Sequence, residues 1–127
     1  ALILITHNMG VVHDMAQRVA VMYAGQVMEV QPASSLFLTP QHPYTEALLA
    51  AMPERSDGSS RLATIGGMVP GLRDRPTGCL FAPRCSLAEP RCTQTRPSLD
   101  PRPHGLSRCH LELAGRGAEP QPRERLA

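Results

Sequence analysis

Residues 2–6 form an unbroken apolar and β-branched run that ends on polar His7 and Asn8, the pattern of a short strand buried on both faces of a parallel sheet. Beyond Gly10, the set Val11, Val12, Met15, Ala16 and Val19 recurs at helical spacing and predicts a helix with one apolar face. Residues 19–23 and 26–30 are β-rich and are separated by Ala24-Gly25, a pair suited to a tight turn, so they predict a hairpin. Pro32-Ala33-Ser34-Ser35 opens a short helical piece that runs to Leu38 and that Pro40 stops. A further helix is predicted over residues 43–52, with Pro43 in its first turn, His42 as its cap and a buried stripe of Tyr44, Ala47, Leu48 and Ala51.

From Pro53 onward this patterning stops: 10 of the 13 prolines lie in that part, and no helical or strand period persists. The expected organisation is therefore residues 1–52 as the end of an α/β domain, 53–61 as a linker, 62–113 as an irregular cysteine-bearing extension, and 114–127 as a disordered tail. Charge divides in the same place. Residues 1–52 hold Arg18 against Asp14, Glu29 and Glu46, a net of −2, and the remainder holds 12 arginines against 8 acids, a net of +4. All 13 basic residues are arginine, so no P-loop lysine, Schiff-base lysine or lysine general base is present in these 127 residues. The only aromatic residues are Tyr23, Phe37, Tyr44 and Phe81. Arginines without interleaved aromatics argue against single-stranded nucleic acid as a partner. The five methionines from Met9 to Met52 read as core filling. No apolar run approaches the ~20 residues that a membrane-spanning helix requires. The chain opens at Ala1 directly on an apolar run, and the expectation is that an N-terminal portion precedes it.

Two constellations carry chemistry. His7 follows the predicted strand at its carboxyl end, where α/β sheets place their ligand crevice, and an imidazole N–H there can donate to a phosphate oxygen. The second is Cys79-x5-Cys85-x6-Cys92-x16-Cys109, with His104 and His110 close to the last cysteine. Disulfides, a tetrahedral zinc site, a [4Fe–4S] cluster and unliganded packed thiols are the competing readings. The spacing lacks the paired C-x2–4-C knuckles usual for zinc, whereas a cubane presents separate iron corners that widely spaced thiolates on irregular loops can hold. A segment so poor in large apolar side chains also needs stabilisation from something other than its own core. The cluster is the reading carried forward, with zinc as the alternative. Arg84 beside Cys85 and Arg108 beside Cys109 are placed to offset the negative charge of a tetrathiolate cluster, and solvated surface arginines are the more ordinary reading.

Residues 5–12, followed by residues 16–25, resemble the switch-histidine region and following hairpin of ABC-transporter ATPase subunits. The likeness continues through Gln41-His42-Pro43-Tyr44-Thr45-Glu46-Ala47-Leu48-Leu49 into Ile65-Gly66, Pro70, Leu72, the stretch 78–85, Cys92, Pro97 and Cys109-His110, and resembles the C-terminal extension of oligopeptide, dipeptide and nickel importer ATPases. The resemblance implies an α/β fold, the C-terminal remnant of a P-loop nucleotide-binding domain joined to an irregular cysteine-containing extension. It makes His7 the γ-phosphate-sensing histidine and so both a catalytic and a nucleotide-binding residue. It implies ATP with Mg2+ in the complete subunit, and it supports a metal site at Cys79, Cys85, Cys92 and Cys109. The implied partners are a second ATPase subunit, transmembrane permease subunits and, indirectly, a substrate-binding protein, with the subunit peripheral on the cytoplasmic face of the membrane. Walker A, glutamine-loop, signature, Walker B and D-loop motifs are not found in these residues, so the chain by itself is expected to be inactive. A non-catalytic module holding zinc or an iron–sulfur cluster is the alternative reading.

Overall fold

The computed structural model describes residues 1–55 and 64–113. Its organising element is the hairpin of β1 (Arg18–Tyr23) and β2 (Gln26–Pro32), paired antiparallel from Arg18↔Pro32 to Tyr23↔Gln26 with a bulge between Val21 and Met22. Ala24 and Gly25 turn the chain with φ of 49° and 80°, the left-handed pair that matches a two-residue hairpin to the twist of its strands. Val19, Val21 and Tyr23 alternate inward along β1 as its period-2 pattern requires. α2 (Ala33–Leu36) follows β2 directly, and α3 (Pro43–Ala50) begins at Pro43 behind a His42 cap.

The sheet continues beyond the hairpin. β3 (Asp100–Arg102) and β4 (Gly105–Ser107) form a second hairpin, and β4 pairs antiparallel with β2, giving the order β1-β2-β4-β3. Gly105 permits this join, because a Cβ there would lie 1.9 Å from the Val30 carbonyl oxygen. The expected irregularity of residues 62–113 is thus broken by this hairpin, by a 3-10 turn at Ala82–Arg84 and by α4 (Pro90–Gln94).

Two apolar clusters draw on the hairpin. Val19, Val21, Ala33, Leu36, Phe37 and Leu49 form one; Tyr23, Met28, Cys79, Leu80, Phe81, Ala82 and Cys92 form the other, and Tyr44 packs against both.

Several expectations require correction. Residues 2–6 form no strand: Ile3 is 88% and Ile5 94% exposed. A strand buried on both faces takes its hydrogen bonds and cover from flanking parallel strands, and every strand pair among the described residues is antiparallel. The parallel unit is therefore not formed, and the architecture is a small mixture of helices and antiparallel sheet, consistent with the α/β class at that coarse level. α1 (Met9–Met15) starts earlier and ends sooner than its apolar spacing predicts, because Asn8 caps it and Val19 belongs to β1. Along α3 the buried positions are Pro43, Thr45 and Leu49 rather than the predicted stripe. Of the five methionines from Met9 to Met52 only Met28 is fully buried, and Met15 and Met22 are more than half exposed. Pro53–Arg55 forms a 3-10 turn at the start of the predicted linker; the rest of that linker and the predicted tail lie outside the described residues. No helix among the described residues is long and apolar enough to cross a membrane.

Candidate functional site

His7 sits in the exposed segment immediately before α1. Its neighbours fix the backbone on either side: Thr6 Oγ1 accepts from Asn8 N at 3.1 Å, and Asn8 Oδ1 accepts from Gly10 N at 3.0 Å and Val11 N at 3.2 Å. Asn8 is thus an N-cap that satisfies two otherwise orphaned amides. The imidazole of His7 is left open to solvent.

The four cysteines, spread over 31 positions of sequence, line one small cavity together with His42, His110 and the apolar wall of Phe81 and Ala82. His7 is not among its lining residues, so the two constellations are separate. All four thiols are free. The backbone is folded so that amides point at sulfur: those of Phe81 and Ala82 at Cys79, those of Leu87 and Ala88 at Cys85, Glu89 N at Cys92 Sγ (3.4 Å) and Leu111 N at Cys109 Sγ (3.3 Å). Burial nevertheless raises the Cys79 and Cys85 thiols above their usual pKa and raises Cys109 to about 11. Each is a neutral thiol at pH 7 unless a cation replaces its proton. Among the described residues no three His, Cys, Asp or Glu side chains converge closely enough to hold a single metal ion.

The cavity is joined to the hairpin by the segment that leads into α3. His42 is 1% exposed; its Nδ1 accepts from Tyr44 N at 3.0 Å, and its Nε2–H donates to the Arg108 carbonyl at 3.0 Å. Burial lowers its pKa to about 4, opposed by the Arg108 hydrogen bond, so the ring is neutral. Tyr44 stacks edge-on to Tyr23 at 4.7 Å and lies 5.2 Å from Phe81. Beside it, Glu29 is fully buried and accepts from Gln41 N at 2.6 Å and from Gln31 Nε2. Burial raises its pKa, against the pull of the Thr45 hydroxyl and the Gln41 amide.

Arginines frame the cavity in a way that the sequence reading missed. Arg96 donates to the Gly78 and Pro76 carbonyls, Arg84 to those of Ile65 and Gly66, Arg91 to that of His110, Arg102 to that of Cys109, and Arg108 to those of Val27 and Pro97. Arg84 also reaches the Tyr23 hydroxyl at 3.2 Å. These guanidiniums are not idle surface charges, because each pins a loop that has few apolar contacts of its own. The only hint in the sequence was the abundance of arginine where apolar side chains run short.

Residues 28–92 match the family model of the oligopeptide/dipeptide transporter C-terminal region. The chain is 47% identical over 117 residues to the dipeptide transport ATP-binding protein DppD of Haemophilus influenzae, covering 92% of this chain and 36% of that protein. It is 48% identical over 118 residues to DppD of Escherichia coli, again covering 92% of this chain and 36% of the relative. The chain thus spans about a third of the length of these relatives. The matched stretch takes in most of β2, the His42 cap, α3 and three of the four cysteines, and on that match the chain belongs to the family of the oligopeptide/dipeptide transporter C-terminal region.

Proposed function

We propose that this chain works as part of the ATP-binding subunit of an importer for peptides, in which ATP hydrolysis is coupled to transport through permease subunits. The observation that carries the reading is identity near one half, over nine-tenths of the chain, to proteins named for dipeptide transport and ATP binding. Within it, His7 senses the γ-phosphate of a triphosphate, held with Mg2+ by residues outside this chain and by a second ATPase subunit. Its solvent-open ring, on a backbone fixed by Thr6 and Asn8, supports that role. The subunit acts at the cytoplasmic membrane face, where the permease subunits are. Alanine at His7 in the full-length subunit, assembled with its partners, should slow hydrolysis at least 100-fold, as loss of one transition-state donor worth ~3 kcal/mol does, and leave nucleotide binding intact. Unchanged hydrolysis removes His7 from the site.

For the extension, the reading is that Cys79, Cys85, Cys92 and Cys109 hold a [4Fe–4S] cluster. Support comes from four thiols on one cavity, backbone amides directed at each sulfur, and the Arg96 charge acting on Cys79. Such a group would cross-link loops that have little core of their own. Anaerobically purified protein should carry about four irons per chain. One zinc per chain and no colour would reject the cluster in favour of the zinc alternative.

A further inference from the structure

Three of the four cysteines lie on one stretch that its own backbone closes. Cys79 N donates to the Cys92 carbonyl at 2.7 Å, and Gly78 lies so close that a Cβ there would be 2.1 Å from the same oxygen, so 79 and 92 share one backbone contact with Cys85 on the loop between them. Cys109 arrives by another route, at the end of the β3–β4 hairpin. The Arg108 carbonyl belongs to the peptide group that carries the Cys109 amide, and that group is planar, so holding the oxygen orients the bond leading into Cys109. His42 holds it through Nε2 at 3.0 Å. One residue earlier in each segment, Ser107 Oγ donates to the Gln41 carbonyl at 2.7 Å, and on the far side Arg102 Nη2 donates to the Cys109 carbonyl at 2.7 Å. Because Nδ1 of His42 accepts from Tyr44 N, the proton of the neutral ring is on Nε2, and one tautomer serves both the helix cap and the tie.

We propose that His42 is the positioning residue for Cys109: its Nε2 tie delivers the fourth thiol to the cavity lined by the other three, so that the cavity is closed only while the N-terminus of α3 is seated against the strand end at Ser107-Arg108. The proposal deepens the four-thiol reading given above and rests on it. It makes the two nitrogens of His42 separable. His42→Asn keeps an acceptor near the Nδ1 position and loses the tie, whereas His42→Gln places an amide near Nε2 and loses the cap.

The test is the alkylation rate of each cysteine by iodoacetamide in metal-free full-length protein, resolved by peptide mass spectrometry. His42→Asn should raise the rate at Cys109 about tenfold relative to Cys79, the factor that ~1.4 kcal/mol represents. His42→Gln should stay within about twofold of the unsubstituted protein. An equal rise at all four thiols, or no rise at Cys109, overturns the proposal, since the first reports general loosening and the second shows that the tie holds nothing. Anaerobic reconstitution with ferrous iron and sulfide is the second arm. If the unsubstituted protein binds no iron, the cluster reading fails while the alkylation ratio still decides the role of His42.

Discussion

His42 shows how one residue can be half legible. Its place before Pro43 announces a helix cap, and the cap is there. Its second hydrogen bond crosses 66 positions to Arg108, and nothing periodic in the sequence points to a partner so remote. Folding lowers the pKa of this histidine, so its contribution to stability is present above 6.5, its ordinary value, and is lost as pH falls toward the folded value of about 4. Acidification through that window should cost on the order of 3 kcal/mol, read as a fall in urea midpoint that His42→Gln removes. Glu29 runs the other way. Its raised pKa means that stability is fully present below its ordinary value of 4.5 and is lost as pH rises through the folded value. The sequence showed Glu29 as a strand residue with no sign that it is buried. Only the pairing of β2 with β4, and the covering of Glu29 by Gln41, take it out of water.

At the level of elements, the β1–β2 hairpin was readable because alternation, β-rich composition and Ala24-Gly25 all agree. The β3–β4 hairpin was not, since three-residue strands containing Asp100, Pro101 and Arg102 offer no period to detect. What makes it a strand pair is β2, a long-range neighbour, together with glycine at 105. Gly78 plays the same part in the cysteine loops. Gly105→Ala and Gly78→Ala should each destabilise the protein by roughly 1–3 kcal/mol through overpacking against the Val30 and Cys92 carbonyls. Their effects should differ in kind: Gly78→Ala should raise the alkylation rates of Cys79 and Cys92 at a denaturant concentration where the fold persists, and Gly105→Ala should loosen the sheet, seen as faster amide exchange in β2. Residues 2–6 mark the opposite case, a strand pattern without a strand. The run is apolar and β-branched, but a strand is a relation between segments, and among the described residues no parallel neighbour satisfies it.

Across the whole molecule, apolar burial is split between two clusters that both draw on the hairpin, with Tyr44 packed against each. The cluster beneath the cysteines is completed by guanidinium groups donating to main-chain oxygens. None of those carbonyl acceptors titrates, so this part of the fold should be indifferent to carboxylate protonation. It has a different weakness. Guanidinium chloride supplies, in molar amounts, the same planar donor that Arg84, Arg96, Arg102 and Arg108 present once each, and can compete with them for the same oxygens as well as weaken apolar burial. The protein should therefore unfold in guanidinium at less than half the concentration needed in urea, below the ratio expected from slopes that usually differ about twofold. Replacing Arg96 by Gln should bring the two midpoints back toward that ordinary ratio.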